Sequence, residues 1–202
     1  MRAFNHVIST GKAFYWGTSE WDADEIAQAW RVADRLGLVG PAMEQPAYNM
    51  LTRERVEREL AHLVRPDNGG LGLTVFSPLK MGLLSGKYRD GVPAGSRLAQ
   101  TDVGFVRGFW RETGAEAWEA LVRQARRLEP VAERLGLPMG TLALAWVLAN
   151  PSVSSAITGA SSPAQVYENC RAVAAVERLT PDVMAEIDAV LGNKPPAVVA
   201  RP

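Results

Sequence analysis

Two segments far apart in the chain share one layout, and this layout constrains the fold more than any other feature. Each has an apolar run typical of a buried strand, followed by a turn rich in Gly, Ser and Pro, at residues 77–86 and 158–163. Such small residues let backbone N–H groups approach an anion, and the helix that follows the second turn adds partial positive charge. On neighbouring parallel strands, the two turns predict a phosphate or dinucleotide site.

Strand-like and helix-like patterns alternate four times along the chain. Strands are predicted at residues 13–17, 42–45, 71–76 and 153–158. Helices are predicted at residues 22–36, 52–64, 115–135, 141–149, 163–173 and 181–191. This order predicts parallel strands with right-handed crossovers. The aperiodic stretch 89–113 is long enough to predict a functional loop, and the proline-containing tail 194–202 is predicted to be extended or loosely ordered.

Composition excludes several classes of protein. The chain has 202 residues and a formal net charge of +0, which argues against a nucleic-acid binder. Cys170 is the only cysteine, which fits a reducing, cytoplasmic location. No apolar run approaches the roughly 20 residues of a membrane span, so membrane insertion is not expected. His6 and His62 with one cysteine offer no metal-ligand spacing.

Each candidate residue also has a simpler interpretation. Gly159 and Ser161 could form an ordinary tight turn before a capped helix. Lys87 and Arg97 could be solvated surface cations. Ser77 has no nearby histidine and no nucleophile-elbow pattern, so a serine hydrolase is not expected.

Several short motifs together resemble the aldo-keto reductases, in particular the branch that contains voltage-gated potassium channel β subunits. They are Trp-Gly-Thr-Ser-Glu-Trp at 16–21, Phe-Ser-Pro-Leu at 76–79, Ser-Gly-Lys-Tyr at 85–88, the segment 159–169, and Gly-Asn-Lys-Pro at 192–195. The resemblance implies an α/β fold, a (β/α)8 TIM barrel with NADP(H) across the carboxyl ends of its strands. The chain resembles strands 5–8 with their helices and a C-terminal helix, as one domain over residues 1–202.

The resemblance also implies the roles of individual residues. Ser19 and Gln45 would contact the nicotinamide end of the cofactor. The ring and pyrophosphate would be lined by Phe76, Ser77, Pro78 and Leu79, and the phosphates would be held by Lys87 and Arg97. The adenosine end would be surrounded by Gly159, Ser161, Gln165, Glu168 and Asn169. Three residues depart from the branch: Glu20 stands where Arg is frequent, and Lys80 and Met81 replace smaller residues, with Lys80 a candidate for anion binding.

Three functions remain open from the sequence. The resemblance implies an NADPH-dependent reductase of small aldehydes or ketones, or an NADP(H)-sensing regulatory subunit of a potassium channel. The family's catalytic Asp, Tyr, Lys and His (or Asn) belong to the first four strands, which have no counterpart here, so no catalytic residue is carried over. An inactive truncated product is the third possibility.

Four strands by themselves predict incomplete packing. Two open sheet edges and an apolar interior facing water would favour association, either with a second copy of the chain or with a missing N-terminal half. Glu44, on the second predicted strand, is expected to have a structural role inside the barrel mouth, because a buried carboxylate needs partners.

Overall fold

The centre of the molecule is a sheet of four parallel strands, described in a computed structural model that covers residues 1–196. The strands are β1 (Gly17–Ser19), β2 (Met43–Gln45), β3 (Gly72–Val75) and β4 (Val153–Ala156). They are hydrogen-bonded in chain order, and every pair is parallel. All four strands therefore end at the same side of the sheet, which we call the carboxyl edge. The predicted alternation of parallel strands and helices is confirmed.

Within residues 1–196, eight α-helices connect and cover the strands. They are α1 (Arg2–Ser9), α2 (Ala23–Leu36), α3 (Gly104–Arg126), α4 (Glu129–Arg134), α5 (Met139–Leu148), α6 (Pro163–Cys170), α7 (Ala172–Ala175) and α8 (Pro181–Leu191). Shorter helical turns are the π-helical Arg55–Glu59 and the 3-10 segments Pro66–Asn68, Lys80–Ser85, Arg97–Ala99 and Val176–Arg178. Local sequence sets several boundaries. Asp22 and Glu25 form a reciprocal capping box at α2, while Thr180 caps α8 and left-handed Gly192 ends it.

The helices cover one face of the sheet. Leu73 and Val75 on β3 have no exposed surface and belong to the main hydrophobic core. Helix α5 is buried over almost its whole length because it carries apolar residues on all sides. Within it, Leu142, Trp146 and Val147 are only 0–1% exposed.

The other face of the sheet is open, and it is not the apolar surface that the sequence led us to expect. Parallel register places Gly17, Met43 and Gly72 side by side on it, whereas Thr18, Glu44 and Leu73 lie on the helix-covered face. Alternation along the strands adds further residues to the open face, namely Ser19, Gln45 and Thr74. Most of these side chains are absent, small or polar, so Met43 is the one large apolar group among them.

One strand and one helix in the N-terminal half differ from the sequence prediction. Strand β1 begins at Gly17 and not at residue 13, and Phe14 and Tyr15 are 88% and 73% exposed instead of paired in the sheet. The helix predicted at 52–64 is a π-helical turn, in which the Leu60 N–H donates to the Arg55 carbonyl at 2.8 Å. The wider turn still keeps Leu60 fully buried, so the apolar spacing was correct although the helix type was not.

The long connection before α5 is also more helical than predicted. Helix α3 begins at Gly104, inside the stretch expected to be a loop, and is broken at Gly114, whose φ is 69°. Its first part is held by aromatic packing, with the Trp110 and Trp118 ring centroids 5.1 Å apart. Such edge-to-face contacts stabilise a helix without producing an apolar period, so periodicity missed it. A separate helix, α4, begins just before Pro130.

Residues 194–196 of the tail are irregular, as predicted, and residues 197–202 lie outside the described part of the chain. Within residues 1–196, no single helix has both the length and the apolar composition of a membrane span; one pair of helical segments does so only across a 91° bend.

Candidate functional site

The candidate residues follow the ends of the four strands in order across the carboxyl edge. The Ser19 hydroxyl donates to the Gln45 carbonyl at 3.0 Å, and the Phe76 N–H donates to the Pro46 carbonyl at 3.0 Å. The Ile157 N–H, which leads into the second Gly-Ser turn, donates to the Val75 carbonyl at 2.8 Å. The turns after β3 and β4 are therefore neighbours. Three strand spacings, about 14 Å in total, separate the end of β1 from the end of β4.

The turn after β3 has an unusual backbone. Ser77, Lys80 and Met81 have φ values of 54°, 47° and 57°, a left-handed conformation that costs a non-glycine residue roughly 1–2 kcal/mol. Pro78 is buried and the residues around it are half-buried. Strained backbone of this kind persists where the surroundings hold it, and it is frequent at binding sites.

A side chain from the loop after β2 holds this turn, and sequence reasoning missed its role. The Asn49 side-chain amide donates to the Ser77 carbonyl at 3.0 Å, and its oxygen accepts from the Leu51 N–H at 3.0 Å. Asn49 is 1% exposed. The available signal was the Asn-x-x-Thr spacing to Thr52, since Asn favours turns in which its side chain bonds the backbone two residues later.

The same loop is joined to helix α8 through Arg53, which is 5% exposed. We call this connection the Arg53 clasp. Its guanidinium donates to Glu57 at 2.8 Å and to Asp188 at 2.7 Å, and lies 4.9 Å from the ring centre of Trp146. Asn193 completes the clasp by donating to the Met50 carbonyl at 2.8 Å. Burial alone would raise the pKa of Asp188, but its bonds to Lys194 and Arg53 outweigh this and hold that pKa below its usual value.

Three cations border the turn after β3. The Lys80 ammonium donates to the Thr52 hydroxyl at 3.0 Å, and burial lowers the pKa of Lys80. Lys87 lies over the Tyr88 ring at 5.0 Å and Arg97 over the Phe105 ring at 5.2 Å. Across residues 1–196, none of the three forms an ion pair with a carboxylate within 4.0 Å. The edge therefore presents positive charge that carboxylates do not neutralise.

The turn after β4 has mainly local hydrogen bonds. The Ser161 N–H and hydroxyl both donate to the Gln165 side-chain oxygen, at 2.7 and 3.0 Å. Ser162 caps α6 by accepting from the Gln165 N–H at 3.4 Å. Gly159 and Glu168 are exposed, and Asn169 is half-buried. The contacts within this segment are therefore those of a capped turn, the simpler of its two interpretations. The first turn of α6 remains accessible.

Two acidic residues near β1 use their carboxylates for hydrogen bonds and ion pairs within the protein. Glu44 is fully buried and accepts from the Thr18 hydroxyl and from the Trp21 N–H. Burial raises the pKa of Glu44, and the two hydrogen bonds oppose that rise. These contacts fit the structural role expected of Glu44, but its location in the barrel mouth was wrong, since it lies on the helix-covered face. Glu20 accepts from the Ala47 N–H at 2.9 Å and pairs with Arg55 at 3.3 Å.

Two open depressions flank the sheet edge. One of about 480 Å³ is lined by residues that include Glu20, Thr52 and Arg55, and another of about 440 Å³ is lined by Lys87 and residues 89–93. Neither of these two depressions includes Ser77 or Ser161. Among residues 1–196, no cluster of His, Cys, Asp and Glu side chains could hold a metal ion.

Comparison with known proteins agrees with this arrangement. The profile of the Aldo/keto reductase family matches residues 1–191. Proteins named as probable voltage-gated potassium channel β subunits, from Arabidopsis thaliana and Oryza sativa subsp. japonica, are each 45% identical over 196 residues. A similarly named Schizosaccharomyces pombe protein is 44% identical over 195 residues.

Each of these alignments covers 96% of this chain but only 55–57% of the relative. The chain therefore spans little more than half the length of the curated relatives that it matches. Because the family profile extends over nearly the whole sequence, the chain belongs to the aldo/keto reductase family.

Proposed function

We propose that this chain is the NADP(H)-binding portion of an aldo/keto reductase that acts on small aldehydes or ketones. One observation carries the proposal: the candidate residues line a single sheet edge in the order that an extended dinucleotide requires, beside cations that lack carboxylate partners. The residues fit the cofactor chemically, because its phosphates need positive charge and backbone N–H donors. When bound, NADPH supplies a hydride to the carbonyl carbon.

The proposed contacts follow the position of each residue along the edge. Ser19 and Gln45, at the ends of β1 and β2, would orient the nicotinamide carboxamide. Phe76, Ser77, Pro78 and Leu79 would line the ring and pyrophosphate, with Lys87 and Arg97 on the phosphates. Gly159, Ser161, Gln165, Glu168 and Asn169 would surround the adenosine end. Gln165 already accepts from Ser161, which leaves its amide NH₂ for a ligand.

We further propose that the four strands correspond to strands 5–8 of a (β/α)8 barrel, with residues 1–202 as one domain. The family's catalytic tetrad would then come from the other four strands and not from this chain. The open face of the sheet supports this view, because a barrel interior is filled by side chains from all of its strands. A face of Gly17, Gly72, Ser19 and Thr74 needs bulky side chains opposite it to reach normal packing density.

The same argument bears on the partner. Two copies of this chain would place small residues against small residues and leave a hollow interior, which is unfavourable. An N-terminal half with larger inward-facing side chains fits better than a homo-oligomer. Both edge strands, β1 and β4, have one strand neighbour each within residues 1–196, so either partner would gain backbone hydrogen bonds at two edges.

The alternative function is an NADP(H)-sensing regulatory subunit of a potassium channel. It is favoured by the names of the relatives, which are channel β subunits. Carbonyl-dependent oxidation of NADPH by the chain together with its complementary half would support the reductase. Binding of NADPH without turnover would favour the regulatory subunit, and absence of both would favour an inactive product. The single cysteine supports a reducing, cytoplasmic location for any of them.

The cofactor proposal is tested by titrating the chain with NADPH and following quenching of tryptophan fluorescence. The double reversal Lys87→Glu with Arg97→Glu should weaken binding at least tenfold, because two attractions to phosphate become repulsions. The matched control is Lys12→Glu with Arg31→Glu, which makes the same change in charge at two other exposed positions, before β1 and on α2. If the two double variants weaken NADPH binding equally, the effect comes from net charge alone, and the assignment of Lys87 and Arg97 is contradicted.

A further inference from the structure

Lys80 is a half-buried cation whose hydrogen-bond partner is a neutral group. Its ammonium donates to the Thr52 hydroxyl at 3.0 Å, and no carboxylate lies within ion-pair distance in the described part of the chain. Arg53, next to Thr52 in sequence, shows the usual arrangement: it is buried against the carboxylates of Glu57 and Asp188. Taking a charge out of water without an opposite charge is unfavourable, so the position of Lys80 needs another explanation.

The location of Lys80 supplies that explanation. It lies in the strained turn after β3, at a φ of 47°, between Ser77 and Gly82. Lys87 reaches back to the same turn, since a Cβ placed on Gly82 would be 3.0 Å from the Lys87 ammonium nitrogen. One lysine therefore belongs to this short stretch of left-handed backbone, and the ammonium of the other approaches it. Burial also lowers the pKa of Lys80, which reflects the unfavourable environment of its charge.

We propose that Lys80 and Thr52 form an anion subsite at the carboxyl edge, which receives a phosphate or carboxylate oxygen of the bound small molecule. This inference rests on the proposed function and adds a subsite to it. The Thr52 hydroxyl accepts from Lys80, so its own proton is free to be donated to the same anion, while the ammonium retains two more N–H donors. The pair thus has three donors available for an oxyanion.

The anion has two possible sources, which share this chemistry. The first is the pyrophosphate of the dinucleotide, because Lys80 directly follows the proposed cofactor residue Leu79. The second is an acidic group on the carbonyl substrate. Thr52 supports this source, because it also lines the depression of about 480 Å³ next to Arg55 and Glu20. Three carboxylates also line this depression, and each pairs with an arginine: Glu20 and Glu59 with Arg55 at 3.3 and 3.6 Å, and Glu54 with Arg58 at 2.6 Å.

The test is calorimetric titration of the full chain with two probes. The first probe is NADPH. The second is 2-carboxybenzaldehyde, compared with uncharged benzaldehyde, added to chain saturated with NADP⁺. The variants are Lys80→Met, which removes the charge at similar length, Lys80→Arg, which keeps it, and Lys12→Met as a control for charge at an exposed position before β1. Thr52→Val removes the hydroxyl at similar volume and provides a second variant if Lys80→Met fails to fold.

If the anion is a phosphate of the cofactor, Lys80→Met should bind NADPH at least tenfold more weakly than the wild type. Lys80→Arg should recover part of this affinity, and Lys12→Met should bind NADPH as the wild type does. If the anion is a carboxylate of the substrate, Lys80→Met should bind NADPH as tightly as the wild type does. The same variant should lose the preference for 2-carboxybenzaldehyde over benzaldehyde. In both cases the melting temperature of Lys80→Met should not fall, because a poorly solvated charge is removed.

Two outcomes would contradict the inference in different ways. If the wild-type chain binds NADPH and Lys80→Met changes neither titration, the anion subsite is wrong while the cofactor proposal survives. If the wild-type chain does not bind NADPH, the cofactor proposal is wrong and the subsite, which depends on it, is rejected as well.

Discussion

The two turns at the carboxyl edge are both rich in Gly, Ser and Pro but are stabilised in different ways. The turn after β3 is held from outside by Asn49 and by Thr52, and its backbone remains in a strained conformation. The turn after β4 is held mainly by Ser161, Ser162 and Gln165, within its own few residues, and most of it is exposed.

This difference suggests a division of roles in ligand binding. A turn fixed by tertiary contacts is preorganised, so it loses little conformational entropy when a ligand binds. A turn with mainly local contacts must be ordered by the ligand or by a neighbouring element. We therefore expect the turn after β3 to define the geometry of the site and the turn after β4 to close on the adenosine end. Amide hydrogen exchange distinguishes the two.

The largest effect is expected from the Arg53 clasp, which supports the loop that carries Asn49. Arg53→Met leaves Glu57 and Asp188 without their buried partner and should lower the free energy of unfolding by about 3–5 kcal/mol. Urea denaturation measures this change. Arg58→Met is the control: its pair with Glu54 is exposed, so its loss should cost less than about 1 kcal/mol. Equal costs for the two variants would show that the clasp does not support the site.

A smaller, pH-dependent effect is expected at Asp188, whose pKa in the folded protein is below its usual value. The unfolded chain binds a proton more readily, so the stability from this carboxylate is present above the usual aspartate pKa and is lost as the pH falls through the lower, folded value. Asp188→Asn should cost about 1.5–3 kcal/mol at pH 7, the range for hydrogen bonds to charged groups.

Urea titrations of wild type and Asp188→Asn at pH 7, 4 and 2.5 measure this dependence, and the difference between them should shrink at the lowest pH. Hydrogen exchange should report loosening of the turn after β3 before that of the turn after β4. A difference that stays constant over the whole range would exclude a role for the Asp188 charge.

Asn49→Ala tests the direct link between the two loops. It removes the bonds to Ser77 and Leu51, at a cost of about 1–3 kcal/mol. The Leu51 N–H loses its partner, whereas the Ser77 carbonyl keeps its bond from the Lys80 N–H. Amide exchange should accelerate in the turn after β3, where the strained backbone loses its support. The control is Asn68→Ala, which removes an exposed bond to the His62 carbonyl. Unchanged exchange at Lys80, whose N–H bonds to Ser77, would contradict the proposed support.

The smallest effect is expected in the second turn. Ser162→Ala removes the side-chain cap of α6 and should cost about 0.5–1 kcal/mol, with faster exchange confined to residues 161–170. In the wild type, saturating NADPH should slow exchange in this segment more than in the turn after β3. Protection that appears first or mainly in the turn after β3 would reverse the proposed division of roles.

Much of the architecture could be predicted from the sequence, because parallel strands and amphipathic helices leave a periodic signal. Leu73, Val75 and the all-apolar α5 fix the buried layer, and the ends of β3 and β4 bring the two Gly-Ser turns together. The start of α3 could not be predicted, since the packing of Trp110 on Trp118 has no helical period.

The supporting residues of the site were also beyond sequence reasoning. Asn49 and Arg53 act on groups far away in the chain, and their partners Ser77 and Asp188 are not related to them by any local spacing. Lys80 could be proposed as an anion-binding residue, but its lack of a carboxylate partner is a property of the fold. The family profile and the relatives confirm the resemblance, while the roles of individual cofactor residues stay predictions.

The Arg53 clasp has a consequence for biosynthesis. It joins positions separated by 135 residues along the chain, and the Asn193 bond to Met50 joins positions 143 residues apart. During translation the loop after β2 leaves the ribosome long before α8 exists, so Arg53 lacks its Asp188 partner until α8 has been made. Contacts of such long range form late and slowly. The nascent chain is thus exposed to misassembly between the synthesis of this loop and that of α8, and chaperones would be most needed in that interval.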